Sequence, residues 1–378
     1  MIQNYTIHNF KVHRDTSIDL SPLTIFTGVN SAGKSSVFQT MMMLRESLQK
    51  RHSLDVLDLR GRSFDIDGKA FELINWGIED INTLQISLML EGGNRYRFTY
   101  AYPIEATANP DVLRIHEGST RYEEKELESA SALFNDNFQY ISAFRSGPQP
   151  SYHISTEAQE HNQVSGEMGR GEYAVMQYAL HHTSDIQIPS MRHPAESSLL
   201  VQDQVQAWMN EITSGVKINV EDKGNEFRLN FGYSTLGGKN RYASALNSGY
   251  GVGYVFSVVV ALLTSKPGSL IIIENPEAHI HPAAQAAIMR LIANASANGV
   301  QVILETHSDH IINAALVAIK KEVLAKEALT VYYFTRHEET LASEPIKLTI
   351  GRDCRIKKAP KGFFDQMTSD LEVLFGLH

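Results

Sequence analysis

Cysteine is nearly absent: Cys354 is the one thiol in 378 residues. That removes any intrachain disulfide framework and fits a reducing compartment such as the cytoplasm. Long hydrophobic runs are missing too. The longest apolar stretch, Val252 to Leu263, falls well short of the ~20 residues that a membrane helix needs. The amino-terminal MIQNYTIHNFKVH has no apolar core behind a basic start, so it does not read as a secretory signal. A basic excess is lacking as well. Against 43 Asp and Glu stand 34 Lys and Arg, a formal charge of −9, which argues against a wholly basic nucleic-acid binder while leaving room for a local basic groove. No fixed-period repeat, low-complexity tract or sustained heptad run is visible. What is there is ordinary for folded protein: 43% hydrophobic and 20% charged residues exclude disorder and collagen-like repeats.

Alternation over Ile2 to Phe26 suggests two strands, YTIHNFKV and IDLSPLTIF, then a loop, GVNSAGKSS, and a helix, VFQTMMMLRESLQK. Between Asp55 and Pro103 the signals are mainly β, with LQISLML and RYRFTYAYP flanking Gly92-Gly93-Asn94 as a hairpin. Residues 145–240 are less regular, with an amphipathic helix expected over Leu199 to Ile212. SALNSGYGVGYVFSVVVALL reads as a glycine turn entering an apolar helix, and SLIIIENPEAHIHP as a buried strand ending in acids. A helix, a second buried strand (VQVILETHSDHI), another helix, the strand LTVYYF, a hairpin and a short helix from Phe363 to Phe375 follow. Strands alternating with helices imply a parallel sheet. The expectation is one domain over 1–378, with inserted lobes near 55–110 and 145–240 and a strand–hairpin–helix unit over 329–378.

Gly28-Val-Asn-Ser-Ala-Gly33-Lys34-Ser35 matches GxxxxGK[ST] in full, with an apolar strand before it and a helix after. The two glycines let the backbone curl its N–H groups toward phosphate oxygens, and the helix start adds its positive end. Lys34 is then placed to reach the β- and γ-phosphates of a nucleotide, and the Ser35 hydroxyl to ligate Mg²⁺. The bland alternative is a chance glycine turn with an exposed lysine. The run Leu270-Ile-Ile-Ile-Glu274-Asn275-Pro276-Glu277 delivers carboxylates at a strand's carboxyl end, where ligands of open α/β sheets bind. Glu274 is the natural metal-side acid and Glu277 the candidate to position or deprotonate the attacking water. Asn-Pro-Glu is also good helix-start chemistry, and both readings can hold.

In this order, GVNSAGKSS, SALNSGYGVGYVF, LIIIENPEAHIHPAAQ and ILETHSDHI resemble the heads of ABC-type ATPases. More narrowly they resemble the compact relatives of the SMC, RecF and overcoming-lysogenization-defect (OLD) ATPases. The terminal APKGFFDQMTSDL resembles the tail of a branch linked to bacterial phage defence. The resemblance implies a P-loop NTPase fold of ABC type, an α/β fold whose mixed sheet carries a β-rich lobe and a helical, irregular inserted lobe. It implies ATP and Mg²⁺ as ligands, with Gly28, Asn30, Gly33, Lys34, Ser35 and Ser36 as the Walker A loop. Glu274 becomes the Walker B acid, with Ser35 the second magnesium-side residue. Ser248, Gly249 and Gly251 fall where the ABC signature contacts the γ-phosphate held by an opposite subunit. His307 matches the switch histidine, and Phe10 sits near the place of an adenine-facing aromatic. Gln39 lies on the first helix and is not the family's Q-loop glutamine; that role falls near Arg145, with Gln139 and Gln149 as alternatives.

Two departures stand out. Asn275 occupies the position of the usual catalytic glutamate, and an amide cannot act as a general base, so Glu277 would have to substitute. The LSGGQ string is incomplete. The expected function is a Mg-ATP-dependent dimer switch without a membrane partner, a sensor or regulator in anti-phage defence that controls a separate nuclease or toxin. The alternatives are a DNA-repair ATPase that binds nucleic acid itself and an ATP-gated scaffold with little hydrolysis. A Toprim nuclease domain, which OLD nucleases carry, is not expected in the roughly 70 residues after His307. His279 and His281, and His307 and His310, read as capping and packing residues rather than zinc ligands. Arg352, Arg355, Lys357, Lys358 and Lys361 form a basic cluster near the C-terminus, read first as a solvated face.

Overall fold

Apolar residues at alternate positions of β1 (Ile2–Phe10), Tyr5 and Ile7 among them, face the core while the strand pairs antiparallel with β2 (His13–Asp19). The expected second strand is thus divided. Pro22, which has no N–H for a ladder, precedes β3 (Leu23–Gly28), and β3 joins a different sheet. Helix α1 (Lys34–Arg51) begins behind Gly33 and buries Val37, Phe38, Met41, Met42 and Leu44. Strand β4 (Val56–Asp58), the hairpin of β5 (Thr83–Leu90) and β6 (Arg95–Ala101), and β7 (Val112–Ile115) complete an antiparallel sheet of order β2-β1-β5-β6-β7-β4. The computed structural model describes all residues except 65–69, 76, 78–81, 104–110, 236, 361, 364–365 and 376–378.

After α2 (Glu124–Ala130) and β8 (Phe138–Ile141) come β9 (Tyr152–His153), α3 (Thr156–Glu160), α4 (Ala174–His181) and the expected amphipathic α5 (Val201–Ile212). The stretch that read as irregular contains a further sheet. Its strands are β10 (Val216–Asp222), β11 (Glu226–Ser234) and β12 (Asn240–Ser244), with β9 added to β11. Most of β10 is half-buried rather than alternating, which is why its sequence gives no clean period of two.

The rest of the chain alternates: α6 (Tyr250–Leu263), β13 (Leu270–Glu274), α7 (Pro282–Ala297), β14 (Gln301–Glu305), α8 (Asp309–Lys320) and β15 (Leu329–Arg336). An antiparallel edge strand, β16 (Ser343–Lys347), a small pair, β17 (Thr349–Ile350) with β18 (Ile356–Lys357), and α9 (Gln366–Phe375) close it. The central sheet has the order β16-β15-β3-β14-β13-β8, parallel from β15 to β8. Both its faces are covered, so its strands read as unbroken apolar runs. Ile25, Ile273 and Leu304 face the cluster containing α6, α7 and α8, while Phe26, Ile272 and Ile303 face α1 and the first sheet. Among the described residues, no helix is long and apolar enough to cross a membrane.

Two packing details fix the segments around the sheet's carboxyl edge. Helix α6 abuts the loop after β13 so closely that a Cβ on Gly251 would lie 2.2 Å from the His279 carbonyl oxygen. At the start of β2, the fully buried His13 sets Nε2 3.0 Å from the Gly33 carbonyl and Nδ1 3.0 Å from the Thr16 hydroxyl. Nε2 therefore carries the proton it donates to Gly33, and Nδ1 accepts from Thr16. Burial pulls this imidazole down from 6.5 to about 4.

Alanine normally exceeds glycine in a helix by about 1 kcal/mol. Gly251→Ala should reverse that sign and cost about 1–3 kcal/mol in urea unfolding, because the added methyl meets backbone; unchanged or raised stability would refute the contact. For His13, the unfolded chain takes up a proton before the folded one does. Its stabilisation is therefore complete above about pH 6.5 and lost as the pH falls toward 4, up to about 3 kcal/mol in all. Unfolding midpoints measured across that window should be flatter in His13→Gln than in the wild type.

Candidate functional site

The loop from Gly28 to Ser35 is a turn that only its own residues permit. Gly28 has φ +123°, and a Cβ there would fall 2.1 Å from the Phe334 carbonyl oxygen of β15; Gly33 has φ +101° and would collide with Val12 and His13. Its carbonyls are held by donors from the chain. Lys34 Nζ lies 3.2 Å from the Gly28 oxygen and 2.9 Å from that of Val29. Arg336 donates to Ser31, Ser343 to Ala32 and His13 to Gly33. The groups so engaged are those that would otherwise repel an anion, and the loop remains a cradle for one. Asn30 and Ser35 are exposed, Ser36 is half-buried and Lys34 is 4% exposed.

The carboxyl ends of β13 and β14 bring acids to this loop. Glu274 is buried, its two oxygens each accepting a 3.0 Å bond, one from the Tyr140 hydroxyl and one from the Ala143 N–H. Glu305, its register partner on β14, accepts from the Ser35 hydroxyl at 2.8 Å and lies 3.6 Å from Lys34 Nζ. Burial pushes both carboxyls above their ordinary range, and Lys34 pulls Glu305 partly back; burial likewise pulls Lys34 below its ordinary value. Glu277 accepts the His307 N–H at 2.8 Å through Oε1, while its buried Oε2 has no partner among the described residues. The His307 imidazole is held below its usual value by partial burial and by the Lys34 charge, which Glu277 opposes.

Asn275 follows β13 with φ +46° and is braced from beneath. The buried Arg145 guanidinium donates to the carbonyls of Glu274 (2.6 Å), Asn275 (2.6 Å) and Ser142 (3.0 Å), and lies 5.5 Å from the Tyr254 ring centroid on α6. Gln139 instead bonds the backbone of Asn162 and Val164, and Gln149 bonds Gly147. Gln39 accepts from Lys11. Ser248 and Gly249 open α6, bonding within their own turn, and Gly251 packs on His279.

One expectation is corrected. Phe10 is fully buried in the core under α1 and the first sheet, so it offers no face to an adenine. The cause is Asn9, whose φ of +60° breaks the strand's alternation and turns Phe10 inward. His279 and His281 serve structure: His281 caps α7 through Nδ1, and His279 packs edge-on against Tyr254. Among the described residues no three His, Cys, Asp or Glu side chains converge as a metal nest. Of the basic cluster, Lys357 pairs with Asp353 at 2.7 Å, and Lys361 lies outside the described residues. Glu305, Tyr140 and His13 drew no role from the sequence. For Glu305 a signal was present, an acid ending an apolar strand as Glu274 does.

The donors suit Mg²⁺. A hydroxyl and carboxylates are hard oxygen ligands, Glu277 Oε2 is buried and unpaired, and Mg²⁺ takes one or two carboxylates with phosphate oxygens completing its shell. A cavity of about 200 Å³ lined by Thr27, Gly28, Val29, His307, Tyr333 and Gly362 flanks the loop. A larger one of about 390 Å³ lies between α8 and the C-terminal segment and is lined by none of the loop or acidic residues above; the phosphate loop places the site at the smaller.

Comparison with known proteins bears on the fold and the family. Solved structures similar to the chain include the Smc head bound to the C-winged-helix domain of ScpA, at 11% identity and a TM-score of 0.56, covering 92% of this chain and 98% of that one. Another is the Smc head with an extended coiled coil bound to the C-terminal domain of ScpA from Pyrococcus furiosus, at 11% identity and a TM-score of 0.53, covering 99% of each chain. These likenesses show the fold, that of a P-loop ATPase head. No curated protein matches the sequence. Residues 324–374 match a family of proteins of unknown function (DUF3696). Residues 23–313, which hold the loop, both acidic strand ends and α6, match the family described as an AAA domain, putative AbiEii toxin, type IV toxin–antitoxin system, and it is to this family of ATPase domains that the chain belongs.

Proposed function

We propose that the protein binds and hydrolyses Mg-ATP as a nucleotide-driven dimer switch. The observation that carries the reading is the convergence of Lys34, Ser35, Glu277, Glu305 and His307 at the carboxyl ends of neighbouring parallel strands. The residues divide the work. Gly28, Asn30, Gly33 and Ser36 shape the cradle, Lys34 balances phosphate charge, and Ser35 with the acids of β13 and β14 would hold Mg²⁺. That ion, when bound, neutralises charge developing between the β- and γ-phosphates. Glu277 is the general base: Oε1 is anchored to the His307 N–H, and Oε2, buried and without a partner among the described residues, would take the proton of a water admitted with the nucleotide. His307, kept neutral near pH 7 by its surroundings, can accept or donate a hydrogen bond beside the γ-phosphate.

Ser248 and Gly249 stand at the exposed start of α6, where a second copy's phosphate can be met. Two copies would thus enclose two nucleotides, and hydrolysis would reopen them, turning phosphate contacts into a conformational signal. We read residues 1–378 as one such ATPase domain with inserted lobes, acting in the cytoplasm as the sensor or regulator of an anti-phage system, its effector a separate nuclease or toxin. The family's toxin–antitoxin description supports that setting. Asn275 favours a second reading, an ATP-gated scaffold with little turnover. Arg352, Arg355 and Lys358 leave direct DNA contact as a third, which salt-sensitive binding strengthened by ATP would favour.

ATP binding and steady-state hydrolysis decide among these. Lys34→Ala should weaken ATP binding at least about tenfold. Glu277→Gln should bind ATP as the wild type does yet turn over at least about 100-fold more slowly, and should shift to a dimer with ATP in light scattering. Undiminished affinity in Lys34→Ala would refute the site. Tight binding without turnover in the wild type would select the scaffold.

A further inference from the structure

Glu274 stands where the resemblance puts the magnesium acid, yet its two oxygens accept from the β8 side, from Tyr140 and Ala143, and not from Ser35. The Ser35 hydroxyl goes elsewhere. It donates to Glu305 Oε2 at 2.8 Å, and the other Glu305 oxygen lies 3.6 Å from Lys34 Nζ and 3.8 Å from His307 Nε2. The Glu305 side chain is 8% exposed, and its partners come from two segments, Lys34 and Ser35 at the start of α1 and His307 just after β14.

We propose that Glu305 is the positioning residue for magnesium in this site: it accepts the Ser35 proton and so turns the oxygen lone pair of that hydroxyl toward the ion. The inference rests on the reading of Gly28–Ser35 as a Mg-ATP site and goes beyond it by moving the orienting role from β13 to β14. A hydroxyl that ligates a cation gives up electron density, so its proton becomes a stronger donor and needs an acceptor opposite the metal. Glu305 is that acceptor, and no rearrangement of the observed bond is required. The same carboxylate faces the Lys34 ammonium, so it also competes with phosphate for that charge. The two effects have opposite signs. With metal, Glu305 aids nucleotide binding; without metal, it opposes it.

The test is a titration of a fluorescent ATP analogue in EDTA and across a range of Mg²⁺, with melting curves to verify folding. In Glu305→Ala the Mg²⁺ needed for half-maximal enhancement should rise about tenfold or more, while affinity in EDTA stays equal or tightens. Glu305→Gln, which keeps an acceptor oxygen, should recover part of the metal dependence. Ser35→Ala should show the same metal defect, and the double variant with Glu305→Ala no further one. Should Glu305→Ala not fold, Glu305→Val, suited to a strand, takes its place. Wild-type metal dependence overturns the proposal, and so does an equal loss in EDTA and in Mg²⁺, which marks a merely structural role. Lys34→Ala separates the two levels: if it binds the analogue like wild type, the nucleotide site itself fails, whereas if it does not bind and Glu305→Ala keeps normal metal dependence, only the role of Glu305 fails.

Discussion

Strand β14 lies between β3 and β13, hydrogen-bonded in parallel to each, and that placement decides where every charged group of the site falls. Parallel neighbours end at the same edge, so the strand that carries the phosphate loop and the two that carry acids discharge their carboxyl ends together. The register pairs Glu274 with Glu305 and Glu305 with Phe26. A slip of one residue would turn both acids to the opposite faces of a sheet that is apolar on each side.

Three carboxylates gather around Lys34 and Arg145, and the arithmetic of charge matters there. Burial raises Glu274 and Glu305, and the neighbouring carboxylates add to it, while Arg145 and Lys34 oppose the shift without cancelling it. Arg145 does not pair directly with them; it spends its donors on backbone carbonyls. A divalent ion brought in with phosphate would add positive charge to such a set while sharing it with the nucleotide.

Much of this was legible in the sequence, and the limit was one of range. The phosphate loop is a local device: Gly28, Gly33, Lys34 and Ser35 lie within one turn and one helix start, so their spacing carries the geometry. The apolar runs before Glu274 and Glu305 announced buried parallel strands for the same reason. What a linear reading could not hold was strand order. Ser35 meets Glu305 across 270 positions, and nothing near either residue says that their strands are adjacent. Phe10 failed differently. Its strand does alternate, but Asn9 enters the left-handed region and shifts the last residue inward, a change that a pattern of hydrophobicity does not record. In the sheet of β10, β11 and β12 the first strand is half-buried along most of its length and gave no period of two, whereas the alternation of Phe227, Leu229 and Phe231 in β11 was present and passed over.

The Arg145 clamp has a mechanical meaning. One guanidinium, buried and rigid, ties the end of β8 to the backbone of Glu274 and Asn275 and rests against Tyr254 of α6. On the same face of that helix, three residues earlier, Gly251 lies against the carbonyl of His279. Helix α6 and the acidic loop are therefore bolted together at two points, like a lever and its fulcrum. A displacement at Ser248 or Gly249 would thus bear first on the backbone between Asn275 and His279.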